Sequence, residues 1–150
     1  MRSNLETTRE LVDILASEDV ITRMNDERLQ AEGIEALRSV AAPGFTFALI
    51  APPELGTSAE FQGVAGFAEG WNDWLSPFAS YRFERGDVHE AGDVVVATAH
   101  MVATPKGSSA AIETDSAAVL RFRDGKVERL EFHLDSAGAF ASAGIEHPAR

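Results

Sequence analysis

The spacing of hydrophobic residues changes about halfway along the chain. In the first half, apolar side chains recur at three- and four-residue steps, which is the spacing of one helix face. This spacing predicts helices in the stretches 11–15, 21–28 and 34–40. It is clearest over 63–78, where it places Trp71 and Trp74 on the same buried side. The first half is therefore predicted to be mainly helical.

In the second half the period becomes two, which is typical of strands with one buried face. Strands are predicted over 81–89, 94–104, 112–123 and 126–134, with an earlier one over 45–51. The last two are joined by Asp124-Gly125, a strong hairpin signal. Four consecutive strands with short turns make an antiparallel meander, and helices that precede it pack on one face. The pattern predicts an α+β fold.

The composition fits one domain that buries an ordinary core. The chain has 150 residues, of which 45% are hydrophobic, so a single domain over 1–150 is expected. The absence of cysteine excludes a disulfide framework, a thiolate nucleophile and a Cys-ligated metal. The histidines at 89, 133 and 147 lack metal-ligand spacing, so no metal or other cofactor is expected.

The charge of the chain bears on its partners and its location. Acidic residues outnumber basic ones by 24 to 13, which gives a formal charge of -11. Such a chain repels phosphate backbones and anionic lipid surfaces, so neither nucleic acid nor a membrane is an expected partner. The first twenty residues carry charges throughout, and no apolar run is long enough to span a bilayer. A soluble, cytoplasmic protein is the expectation.

Several short strings, in this order, resemble a known family. They are Phe61-Gln62-Gly63 before the tryptophan helix, Ala-Gly-Asp-Val-Val-Val at 91–96, Phe-Arg-Asp-Gly-Lys-Val at 122–127, and Asp135 before an Ala-rich end. With the order of elements, they resemble the SnoaL-like branch of the nuclear transport factor 2-like superfamily over roughly 24–145. The resemblance implies a cystatin-like cone, in which a curved antiparallel sheet wraps the N-terminal helices around an internal cavity. Residues 1–18 are then a helical N-terminal extension.

In this fold the alternation of each strand decides which side chains enter the cavity. Aligned with the superfamily through Asp124-Gly125, the predicted cavity residues are Thr98, His100, Val102, Thr114, Ser116, Ala118, Leu130, Phe132, Leu134 and Leu49, with Trp71 either there or in the helix core. The set is mostly apolar, and His100 is its single titratable side chain. It predicts a small, mainly apolar ligand such as a steroid-like or polyketide-like ring, oriented by Thr98, His100 and Ser116.

The catalytic residues known in the superfamily are absent for two of its enzyme types. The matching positions hold Leu49, Asn25 and Ala118 for ketosteroid isomerases, and Thr98, His100 and Phe132 for limonene epoxide hydrolases. The polyketide cyclases use a histidine and an aspartate, and His100 falls where such a histidine lies. Asp115 is on the neighbouring strand, but strict alternation turns it outward unless a bulge intervenes.

Three functions therefore stay open at the sequence level. The first is a protein that binds a small apolar ligand without a catalytic set. The second is a cyclase or isomerase that moves a proton through His100, with Asp115 as partner if it faces inward. The third is a non-catalytic assembly domain whose cavity is filled by side chains. In the first two, truncation of His100 should weaken ligand binding.

The assumed orientation of the 94–104 strand also predicts a dimer. If His100 faces the cavity, the residues that face outward are Val95, Ala97, Ala99 and Met101. A solvated face would not be wholly apolar, so another surface must cover it. A two-fold homodimer through this outer face is expected, with Ala99 and Met101 near its centre.

Overall fold

The computed structural model describes residues 3–16, 19–51 and 58–146. The elements are α1 (Asn4–Leu15), α2 (Val20–Asn25), α3 (Glu27–Val40), β1 (Ala41–Ile50), β2 (Ala59–Gln62), α4 (Gly63–Leu75), β3 (Phe78–Ala91), β4 (Val94–Pro105), β5 (Ile112–Arg123), β6 (Lys126–His133) and α5 (Ser136–Ala143). The predicted α+β class, the tryptophan helix and the four-strand run are confirmed. The part of the predicted extension that the structure describes is helical, as α1.

The six strands form one sheet in the order β2-β1-β6-β5-β4-β3. The strands β3 to β6 form the predicted antiparallel meander, and β1 pairs with β2 antiparallel. The pairing of β1 with β6 is parallel, so the sheet is mixed rather than wholly antiparallel. At the β5–β6 turn, Asp124 and Gly125 both have positive φ, at 51° and 79°. These values suit the type I′ hairpin that the Asp-Gly pair predicts.

Acidic or hydroxyl side chains begin the first three helices. Ser3 and Glu6 form a capping box at α1, and Asp26 accepts two backbone N–H groups at α3. Asp19 caps α2 with one oxygen, and its other oxygen accepts the backbone N–H of Tyr81 at 3.1 Å. This aspartate therefore fixes the helical layer against β3.

We call the sheet face that α1, α3 and α4 cover the inner face, and the opposite one the outer face. The inner face carries the main core, in which Phe47 contacts the rings of Phe61, Phe67 and Trp71. Two glycines of α4 allow this packing, because a Cβ at Gly66 or Gly70 would lie 2.9 or 2.7 Å from the Phe61 side chain. The helix and β2 are thus held in close contact.

Two elements were not predicted from the pattern. The strand β2 has four residues and directly precedes the tryptophan helix, and the pattern predicts no strand there. The helix α5 comes from the Ala-rich end and lies on the outer face, where Phe140 packs against Val96 and Val119. The chain therefore covers part of its own outer face.

None of the described helices combines the length and the apolar character that a membrane span requires.

Candidate functional site

The strand β4 presents to the inner face the residues that were predicted to face outward. Val95 and Met101 are buried in the inner core, at 0% and 3% exposure. Val96 packs under α5 on the outer face. Because side chains alternate along a strand, His100 and Val102 lie on the outer face as well. The prediction that His100 and Val102 face the cavity is wrong.

By the same alternation Thr98 also belongs to the outward set of β4. It nevertheless borders the mouth of the cavity, beside an irregularity in β3. Its Oγ1 accepts the backbone N–H of Asp87 at 2.8 Å. The pairing of β3 with β4 shifts between Arg85 and Val88, and a Cβ at Gly86 would lie 2.3 Å from that same Oγ1. The hydroxyl of Thr98 therefore stabilises a bulge, and its part in orienting a ligand stays a prediction.

The predicted dimer interface is wrong because β4 has the opposite orientation to the one assumed. The four side chains assigned to it, Val95, Ala97, Ala99 and Met101, belong to the inner face. They cannot meet a partner across the outer face. A homodimer stays a prediction, without these residues at its centre.

The other predicted cavity residues lie on the inner side of the sheet. Ser116, Ala118, Leu130, Phe132 and Trp71 border the cavity. Leu49 and Leu134 pack against the core, and the Thr114 hydroxyl donates to the Leu134 carbonyl at 3.3 Å. Their part in ligand binding stays a prediction.

The inner cavity has a volume of about 100 Å³ and an apolar lining. Its roof is formed by α1, through Leu11, Val12 and Leu15, and by Ala16 at the end of that helix. Much of the rest is formed by Phe47, Phe67, Trp71 and Phe132. The Ser116 hydroxyl donates to the Ala99 carbonyl at 3.2 Å, so it is already engaged. Among the described wall residues Arg85 is the single charged side chain. The cavity thus offers apolar contact area and one cation at its edge.

A second apolar cavity of about 100 Å³ lies between α2, α3 and α4. Leu15, Phe67, Trp71 and Phe83 border both cavities. The wall of the second one includes Arg23, which is 5% exposed. Its Nη2 donates to the Leu29 carbonyl and to Glu32, each at 3.1 Å. These bonds connect the end of α2 to α3.

On the outer face, His100 is held between two carboxylates. Its Nδ1 lies 3.0 Å from Asp115 Oδ1, and its Nε2 lies 2.8 Å from Glu113 Oε1. The hydrogen bonds to Glu113 and then Asp115 raise the pKa of His100 above its ordinary 6.5. Because both ring nitrogens have partners, the imidazole has no free nitrogen for a substrate proton. Asp115 faces outward, as strict alternation predicts.

A buried carboxylate, which the sequence analysis did not single out, fixes α5 to the outer face. Glu131 is 4% exposed and accepts hydrogen bonds from His133 at 2.9 Å, Arg129 at 2.8 Å and the Ser142 hydroxyl at 2.8 Å. Burial alone would raise the pKa of Glu131, but these bonds and nearby Arg121 hold it well below its usual value. The Arg-x-Glu-x-His alternation in β6 was the available signal, because it puts three ionisable side chains on one face.

The described part of the chain holds no group of three or more His, Asp or Glu side chains arranged to bind a metal ion. The pairs around His100 and Glu131 are closed by hydrogen bonds between the side chains themselves. Their chemistry is ion pairing on the outer face, at a distance from the apolar cavity.

A six-stranded sheet with α1, α3 and α4 on its inner face and a cavity beneath them defines an NTF2-like, cystatin-type fold. Residues 21–130 match the family model of the SnoaL-like domain, and the chain belongs to this family. The helix α1 precedes the matched segment. The resemblance seen in the sequence is thereby confirmed. No curated protein matches the sequence.

Solved structures support the same fold at low sequence identity. An NTF2-like protein from Burkholderia thailandensis E264 is 17% identical, with a TM-score of 0.67, over 97% of this chain and 100% of its own. A protein assigned as a SnoaL-like polyketide cyclase from Jannaschia sp. CCS1 is 15% identical, with a TM-score of 0.63, over 98% and 99%. TerC, co-crystallised with polyporic acid, is 21% identical, with a TM-score of 0.61, over 91% and 97%. At these identities the likeness establishes the fold alone.

Proposed function

We propose that the protein binds a small, mainly apolar molecule in the inner cavity and does not transform it. The observation that carries this proposal is the chemistry of the wall, which is apolar apart from Arg85 at the edge and the hydroxyls of Ser116 and Thr98, both of which are engaged in hydrogen bonds. An arginine stays protonated and cannot act as a base. Among the described residues the wall therefore offers contact area without a proton acceptor.

The cavity volume limits the size of the bound molecule. Pockets for drug-sized ligands measure roughly 300–1,000 Å³, whereas an apolar cavity of about 150 Å³ binds benzene. A cavity of about 100 Å³ suits a single ring or a short branched chain. A steroid-like or polyketide-like ring system, which the sequence analysis expected, would require α1 to move away.

The cyclase or isomerase alternative loses its main support. It depended on His100 inside the cavity, and both nitrogens of His100 are bonded to Glu113 and Asp115 on the outer face. A neighbour assigned as a polyketide cyclase shares the fold at 15% identity. TerC, which was co-crystallised with polyporic acid, supports ligand binding as a use of this fold.

Binding of toluene and indole, two neutral probes, tests the proposal. We expect saturable binding by calorimetry, with NMR shift changes at the inner-face residues Phe132 and Trp71. Ala118→Leu places extra volume in the cavity and should weaken binding at least tenfold. His100→Gln on the outer face is the matched control and should leave binding unchanged. Failure of wild-type protein to bind either probe would overturn the proposal.

A further inference from the structure

The inner cavity continues into a charged cleft between α1 and the bulge of β3. The cleft has a volume of about 450 Å³ and shares Val12, Arg85, Ala97 and Thr98 with the cavity. A molecule with its apolar part in the cavity would therefore present its other end to the cleft. The chemistry of this mouth decides which end group is favoured.

The mouth is cationic in an acidic protein. Arg9 and Arg85 line the cleft together with one acidic residue, Asp13, although the whole chain has a formal charge of -11. Arg85 faces inward because it lies opposite Ala99 on β4, and the small alanine leaves room for the long side chain. Both arginines present planar N–H forks, which match the two oxygens of a carboxylate.

In the structure, the carboxylate of Asp13 is already paired with the guanidinium of Arg85. The two side chains form an ion pair, and each is 58% exposed. An exposed pair of this kind contributes little to stability, so another carboxylate can replace Asp13 at small cost. Asp13 belongs to α1, the helix that also supplies the cavity roof through Leu11 and Leu15. The aspartate thus marks the position that a ligand carboxylate would take.

We propose that the ligand is an apolar carboxylate, with its ring or chain in the inner cavity and its carboxylate on Arg85 in place of Asp13. Arg9 stands beside the bound anion as the second cation of the mouth. The inference rests on the proposed function, because the apolar cavity must hold the rest of the molecule. The negative charge of the protein favours a singly charged acid over a more highly charged anion.

Matched acids and amides test this assignment. Benzoate, phenylacetate and 3-phenylpropanoate are each compared by calorimetry with their neutral amides, at low and at high salt. Wild-type protein should bind the best acid at least tenfold more tightly than its amide, with the difference shrinking at high salt. Arg85→Gln should remove the difference by weakening the acid alone. Arg38→Gln, which changes an exposed arginine paired with Glu35, is the control and should change neither.

Asp13→Asn provides an independent test with the opposite sign. It removes the competing carboxylate, so the affinity for the acid should rise several-fold while that for the amide changes less than twofold. Equal binding of acid and amide by wild type, with no effect of either variant, would overturn the assignment and leave the proposed function intact. Absence of binding by every acid, every amide and the neutral probes would overturn both.

Discussion

The two faces of the sheet are covered through different kinds of interaction, apolar packing on the inner face and a mixture of packing and ion pairing on the outer one. On the inner face, Phe47, Leu120 and Phe132 belong to one apolar cluster beneath three helices. On the outer face, α5 packs on Val96 and Val119, and the polar groups beside it are joined by hydrogen bonds to Glu131. The short Ala-rich helix can cover this charged surface because the charges beneath it are paired.

The strand β5 shows this difference within a single element. Ser116, Ala118 and Leu120 face inward, whereas Asp115 and Arg121 face outward to ionic partners. Removing a side chain from the inner face leaves a void, but removing one from the outer face leaves a partner unpaired. The first loss should not depend on pH, and the second should.

Phe47→Ala should cause the largest loss of stability, because Phe47 is fully buried and contacts the rings of Phe61, Phe67 and Trp71. We expect a decrease of about 3–5 kcal/mol in the free energy of unfolding, measured by urea denaturation. The decrease should be the same at pH 5 and pH 7.5. Phe78→Ala, at a half-buried position, should cost less. A loss below about 1 kcal/mol would contradict the assigned inner core.

The sequence predicted strand orientation correctly where one face carries charge. In β5 and β6 the alternation of Asp115, Arg121 and Glu131 with apolar residues is plain, and the inward sets lie on the inner side. In β4 both alternate sets are largely apolar, because α5 covers Val96 from outside. Alternation alone could not orient this strand. In the structure, the fully apolar set that runs from Val95 to Met101 at alternate positions faces inward, and the set that contains His100 faces outward.

The mouth of the cavity could not be predicted from sequence for a different reason. The pair of Asp13 and Arg85 joins residues 72 positions apart. It depends on how α1 crosses the edge of the sheet, which periodicity does not specify. The strand β2 was missed because four residues are too few to establish a period of two, and α5 because its Ala-rich sequence lacks a polar face.

Glu131→Gln should be the next largest change, since it removes the charge that Arg129, Arg121 and His133 share. We expect a loss of about 2–3 kcal/mol at pH 7, with faster amide hydrogen exchange in α5. Glu128→Gln changes an exposed glutamate 3.8 Å from Arg123 and serves as the control, with no measurable loss expected.

The effect of Glu131 has a defined pH dependence. Because its pKa in the folded protein is below the ordinary 4.5, its ionised form stabilises the fold above pH 4.5. That stabilisation is lost as the pH falls from 4.5 toward the folded-state pKa. Wild type should therefore lose stability in acid more steeply than Glu131→Gln. Parallel pH profiles of the two proteins would contradict the pairing.

His100→Gln should have the smallest effect, because His100 is partly exposed and its ion pairs are screened by salt. The pKa of His100 is raised in the folded protein, so its contribution is complete below pH 6.5 and disappears as the pH rises through the folded-state value. NMR titration should give a pKa above 6.5, and Glu113→Gln or Asp115→Asn should each lower it. Binding of neutral probes in the cavity should be unaffected by all three variants. If His100→Gln weakened that binding as strongly as Ala118→Leu, His100 would have to act on the cavity, and the separation of the two faces would be wrong.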